Sequence, residues 1–267
     1  MQSSIKKIIV VLNDFMMLDT ILEKTFYFAK RYHSIVEILY VHESPFFDIP
    51  NFFHSGEKNT LDKEKIKLSI LEKVHTFTIE KEPVVFVKID DTANRVWALS
   101  HEDKDTLIIT TYQKKITHKL ISKITHPTLI VKNTTQEYRK IALIINTESP
   151  SSQCIEMMQT HFPQSHITLF YDYHYIIDPE METSLQNIQM IENAQREAFK
   201  QLKQESALEG KFFIDNNFLG TELNTYLQEK KYDMVYICSP KDDWFVSDTL
   251  TMAFLDTLTY DILISSR

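Results

Sequence analysis

The chain has 267 residues and only 3 glycines, far below the ~7 % of an average protein. Gly56, Gly210 and Gly220 lie too far apart to form a GxGxxG or P-loop, whose bare backbone cradles phosphate, so classical dinucleotide and Walker-type sites are excluded. A net charge of −8 at pH 7 argues against broad nucleic-acid binding, and 43 % hydrophobic with 25 % charged residues is the balance of a globular chain with a sizeable core.

In chain order, Lys6 and Lys7 precede the short run Ile8-Ile-Val-Val-Leu12, which Asn13 and Asp14 end. The run is shorter than a secretory apolar region and is β-branched, so it predicts a buried strand. A helix follows, with Leu18, Ile21, Leu22, Thr25, Phe28, Ala29 and Tyr32 along one stripe. A strand is expected at Val36–Val41, a loop after it, and a helix over Lys63–Ile79. Pro83 introduces a strand at Val84–Ile89, and Asp91 is placed to N-cap the helix carrying Ala93, Val96, Trp97 and Ser100. Strand Thr106–Thr110, a short helix and strand Thr128–Val131 complete this half.

The remainder repeats the plan. Lys7-Ile-Ile-Val-Val-Leu-Asn13 is echoed by Lys140-Ile-Ala-Leu-Ile-Ile-Asn146, and Asp105-Thr-Leu-Ile-Ile-Thr110 by Asp233-Met-Val-Tyr-Ile-Cys238, at nearly the same offset. Strands are expected near Ile141–Ile145, Ile167–Tyr171, Lys211–Ile214, Met234–Cys238 and Ile262–Ile264. Helices are expected near Ser151–His161, Leu185–Leu208, Leu219–Glu229 and Ser247–Leu258. Apolar strands alternating with helices imply a parallel sheet covered on both faces. The expected fold class is α/β: two tandem three-layer αβα domains, over residues 1–133 and 138–267, each with a five-stranded, mainly parallel, Rossmann-like sheet.

These phrases resemble the universal stress protein family in its tandem, two-domain form. The family opens each domain with a β-branched strand ending in Asp, matched by strands ending at Asn13 and Asn146; its second-strand phrase is matched by Leu39-Tyr40-Val41-His42-Glu43. Its helix and strand before the ligand loop are matched by Asp91-Thr-Ala-Asn-Arg-Val-Trp-Ala-Leu99 and Asp105–Thr110. The resemblance implies an adenine nucleotide alpha hydrolase-like fold and a pseudo-dimer of the two halves through their last strands. ATP-binding members follow the fourth strand with Gly-x2-Gly-x9-Gly-Ser/Thr. The first two glycine positions are Thr110 and Gln113 in one repeat, and Cys238 and Lys241 in the other. Both halves therefore lack the signature, and neither ATP nor AMP is expected as a cofactor.

If a ligand is bound, the positions that match are Asn13, Asp14 and Val41 at strand ends, with Lys114, Lys115 and Lys119 in the basic segment after the fourth strand. His118 and Lys123 belong to the same segment, for which a solvated helix face is the plainer reading. Repeat two carries Asp242, Asp243 and Asp248 there, which would repel phosphate. Asp14, Asp90-Asp91, Thr110-Thr111 and Lys132 at strand ends also suggest a phosphoacceptor receiver arrangement as a competing reading.

Aromatic clusters follow the second strands: Phe46, Phe47, Phe52 and Phe53, then Tyr171, Tyr173, His174 and Tyr175. They suit a partner surface or an apolar ligand, or else fold back onto the protein. The Met16-Met17 and Met157-Met158 pairs are expected to fill core gaps. Cys154 and Cys238 are too few for a disulfide framework, the histidines show no metal-ligand spacing, and no nucleophile elbow is present. The expectation is a cytoplasmic, non-enzymatic module without metal or membrane insertion, acting through a protein partner, self-association, or a small anionic or apolar ligand.

Overall fold

The computed structural model describes residues 5–43, 62–79, 81–134, 137–145, 151–174, 185–215, 221–239 and 246–266. Two compact units divide the chain, Ser3–Val131 and Lys132–Arg267.

The first unit runs β1 (Lys7–Leu12), α1 (Leu18–Tyr32), β2 (Ile35–Glu43), α2 (Lys63–Val74), β3 (Val84–Asp90), α3 (Thr92–Ser100), β4 (Thr106–Thr111), α4 (Lys114–Lys123) and β5 (Thr128–Val131). Its strands align in the order β3-β2-β1-β4-β5, every pair parallel. Parallel neighbours need crossovers, and right-handed crossovers that reverse direction after β3 put α1 and α2 on one face and α3 and α4 on the other. The contacts agree: Lys73 of α2 bonds Asp19 of α1 at 3.1 Å, and Phe77 beyond α2 packs on Phe26 of α1. On the opposite face Lys119 and Lys123 of α4 bond Asp91 and Asn94 at the start of α3. There the core joins Ile9, Val11, Leu39, Val41 and Ile108 of the sheet to Ala93, Val96 and Leu120 of the helices.

The second unit repeats this with β6 (Lys140–Ile145), α5 (Ser151–His161), β7 (His166–His174), α6 (Leu185–Ser206), β8 (Glu209–Asp215), α7 (Thr221–Glu229), β9 (Met234–Ser239), α8 (Val246–Thr257) and β10 (Asp261–Ser266). Its parallel order is β8-β7-β6-β9-β10, the same topology. Successive residues of β7 serve opposite faces, as strand geometry requires. Phe170 packs with Tyr226 of α7, whereas Tyr171 packs with Phe199 of α6 and lies flat on Phe212. Gly210 is needed where β8 passes this cluster: a Cβ there would come within 2.5 Å of the Leu169 carbonyl and 3.0 Å of the Phe199 ring.

Two expectations are corrected. The helix expected over Lys63–Ile79 ends at Val74, because Thr76 and Phe77 donate back to Lys73 and Val74 in tighter turns and the Thr76 hydroxyl takes the Lys73 carbonyl at 2.7 Å. Met16 is not a core filler but is 74 % exposed: the Asp14 carboxylate accepts from the Met16 amide at 2.8 Å, and Met17 adopts φ 57°, a turn that swings Met16 outward. Met158, by contrast, is fully buried. Among the described residues no helix is long and apolar enough to cross a membrane.

Candidate functional site

In an open parallel sheet ligands collect beyond the carboxyl ends of the strands, where the strand order reverses direction. In the first unit that point lies between β1 and β4, and it collects three of the sequence-derived positions. Asn13 and Asp14 follow β1, and Val41 lies near the end of adjacent β2. The receiver reading fails here, since β1 stands between β2 and β4 whereas the flavodoxin-like order is 2-1-3-4-5. Lys132, the last member of that set, belongs to the second unit.

The strand ends are cross-linked by their own side chains. The Asn13 amide donates to the Val41 carbonyl at 2.9 Å and to the Thr92 hydroxyl at 2.8 Å, joining β1 to β2 and to the first turn of α3. The Glu43 carboxylate accepts from the Thr92 amide at 2.9 Å. Asp14 accepts from the Gln113 side chain at 2.7 Å, which spans from β1 to the entrance of α4. An asparagine amide makes these bonds because it is a donor; an aspartate there could only accept.

The glycine positions of the nucleotide loop are filled and regular. Thr110 is buried, and its hydroxyl donates to the Val11 carbonyl at 3.2 Å. Gln113 has φ −137° and ψ 106°, extended backbone that any residue adopts. In the second unit Cys238 is buried within β9, while Asn146 and Lys241 lie outside the described residues.

The basic segment forms α4 and splits by function. Asp91 caps α3, accepting from the Asn94 amide at 2.8 Å, and its second oxygen pairs with Lys119, so both sides of that charge pair serve the α3–α4 contact. Lys123 bonds Asn94 and lies 6.0 Å from the Trp97 ring, which stacks on His101. Lys114 and Lys115 are exposed in the first turn of α4, which contains no acidic residue and no side-chain cap from Gln113. Asp90 is engaged by Arg95 at 2.5 Å, and the Asp91 amide bond, with Arg95, holds its carboxyl below the usual carboxylate range. A cavity of 310 Å³ in this unit lies elsewhere, between Phe26, Ala29, His33, Val36 and Ile79, near the end of α1 and the start of β2.

Of the aromatic clusters, Tyr171 is core, its hydroxyl bonding Gln195 of α6 at 2.6 Å. Tyr173 and His174 are in β7; Phe46, Phe47, Phe52, Phe53 and Tyr175 lie outside the described residues. Sequence reasoning missed the roles of Thr92, Glu43 and Gln113. Their partners are 49 to 99 residues away, and only the parallel register brings them together.

No protein-family model and no curated protein matches the chain. Solved structures do match over nearly its whole length. A universal stress protein from Archaeoglobus fulgidus is 10 % identical with a TM-score of 0.67, covering 97 % of this chain and 96 % of its own. A Pseudomonas aeruginosa protein described as functionally unknown is 14 % identical with a TM-score of 0.66, covering 99 % of this chain and 94 % of its own. At these identities the likeness is one of fold, and the fold is that of a tandem universal stress protein.

Proposed function

We propose that this chain is a stress-response-type regulatory module that has given up ATP and AMP and works, in the cytoplasm and without catalysis of its own, through a protein partner or a small ligand. The observation that carries this reading is the cross-linked switch point of the first unit. A nucleotide seated over the end of β1 would have to displace the bonds from Asn13 to Val41 on one side and from Gln113 to Asp14 on the other. It would find the Thr110 hydroxyl and the Gln113 side chain where a phosphate loop presents bare amides, and the Gln113 amide already donating to the Thr117 hydroxyl. Isothermal titration of the full chain with ATP and with AMP tests the reading. The expected result is no binding heat at either nucleotide, and a micromolar dissociation constant for one of them would end it.

A second reading rests on the first turn of α4, where exposed Lys114 and Lys115 stand at the positive end of an uncapped helix. On this reading an anion binds there through side chains and helix amides. Lys119 is a poor probe, because its substitution also breaks the pair with Asp91. Lys114→Glu with Lys115→Glu is the cleaner variant: it should abolish any thermal shift given by ATP or inorganic phosphate, and the absence of a shift in the unmutated chain removes this reading.

A further inference from the structure

The two cysteines are 84 residues apart in sequence, yet the fold brings them together. Cys154 lies in the first turn of α5 and Cys238 is the penultimate residue of β9, with a Cα–Cα separation of 6.4 Å and a bond between the sulfurs. That separation falls within the span a disulfide bridges. The pairing belongs to a wider contact. Cys238 and Tyr236 are two residues apart on a strand and so share one face; Cys154 and Met157 are three apart on a helix and so share one side. Tyr236 reaches the Met157 sulfur at 4.0 Å, and its hydroxyl also bonds Ser265 of β10. Helix α5 thus seats two sulfur side chains on two residues of β9, and the cysteines are 1 % and 2 % exposed.

Cys238 is moreover the residue standing where the nucleotide-binding relatives' loop would open with glycine. The chain has no other cysteine, so no alternative intramolecular pairing exists. A thiol pair held face to face at the strand ends is a site for two-electron chemistry, not a nucleotide site.

We infer that Cys154 and Cys238 form a reversible dithiol/disulfide couple, oxidised by a peroxide, that pins α5 to the end of β9. In the first step one thiolate attacks a peroxide oxygen, the O–O bond breaks, and the products are a sulfenic acid and, after proton transfer, one water when the oxidant is hydrogen peroxide. In the second step the partner thiolate attacks the sulfenic sulfur, the S–O bond breaks, and a second water leaves with the partner's proton. Two thiols have lost two electrons and two protons, and one peroxide has become two waters. A dithiol reductant reverses the result by exchange, leaving as its own disulfide.

The full chain is reduced with dithiothreitol, desalted, treated with hydrogen peroxide, then denatured in the presence of iodoacetamide and weighed by mass spectrometry. The expected oxidised chain is two hydrogens lighter, takes no alkyl group, yields a linked peptide pair containing Cys154 and Cys238, and takes two alkyl groups again after dithiothreitol. Cys154→Ser and Cys238→Ser each lose the two-hydrogen step. Closing a loop of this length should raise the melting temperature of the oxidised chain over the reduced one by about 10 °C. Full alkylation of both cysteines after peroxide, oxygen addition to one of them, or a linked dimer of two chains would overturn the inference. So would equal melting temperatures, or a reduced chain whose circular dichroism shows it unfolded, since the couple would then pin nothing or would not be reversible.

Discussion

Asn13→Asp installs the aspartate with which the family that the sequence resembles ends its first strand, and it should damage this protein without creating a nucleotide site. The Asn13 amide nitrogen lies 2.9 Å from the Val41 carbonyl and 2.8 Å from the Thr92 hydroxyl. In the aspartate the first contact becomes oxygen against oxygen, with a charge on one of them, while the second survives because the Thr92 hydroxyl can turn and donate. One lost hydrogen bond costs about 1 kcal/mol, and leaving a buried carbonyl facing an acceptor adds about 1–2, so the first unit should lose about 2–3 kcal/mol. Asn13→Ala, which loses both bonds without opposing them, should cost about 1–2 kcal/mol. The repulsion also gives a pH signature. The carboxylate faces the Val41 carbonyl, so its folded pKa is raised, the folded state holds the proton longer, and the penalty is relieved as pH falls toward the unfolded value near ~4. Urea unfolding followed by Trp97 fluorescence in a Trp244→Phe background reads the first unit. Equal stability of Asn13→Asp and the parent at neutral pH, or a loss that does not shrink on acidification, would refute the argument.

Three further outcomes follow from the second unit. Gly210→Ala would place its methyl group against the Leu169 carbonyl and the Phe199 ring, and should cost about 1–3 kcal/mol in urea unfolding; a neutral effect would mean that β8 yields freely. Asp261 is fully buried and accepts from the Lys132 and Asn133 amides and from the Tyr138 hydroxyl at 2.8, 3.1 and 2.6 Å, so Asp261→Ala should cost about 3–5 kcal/mol and Asp261→Asn clearly less. Burial lowers the Lys132 ammonium to about 8 against the opposing pull of Asp256 and Asp261. Between about pH 8 and 10 the unfolded chain then keeps a proton that the folded chain has released, so this group makes stability rise with pH there, and Lys132→Met should flatten that rise. The window closes above ~10, where the unfolded tyrosines ionise before Tyr32, whose buried hydroxyl is held up at about 12.

The strands and helices were legible because each rests on a local pattern. Ile8 to Leu12 is a β-branched run buried on both faces, and Asp91 precedes Asn94 by the three residues that an N-cap spans. The overlong second helix shows the limit of periodicity. Phe77 falls three residues after Val74 and continues the apolar stripe, but the Thr76 hydroxyl and the turn bonds stop the helix, and Phe77 reaches α1 from a turn. At the candidate site the strand-end residues could be read from position alone. The partners could not: whether Lys119 faces solvent or Asp91 depends on α3 and α4 sharing one face of the sheet, which follows from the crossover direction and not from the basic run itself. Likewise the spacing of Cys154 and Cys238 says nothing until α5 is laid on β9.

A crystal structure of the full chain grown in millimolar ATP with magnesium tests the central claim most directly. The account predicts no nucleotide density between β1 and β4, with Asn13 still bonded to Val41 and Thr92 and Gln113 still bonded to Asp14. Adenosine density at the end of β1, with those bonds broken to admit it, would contradict it.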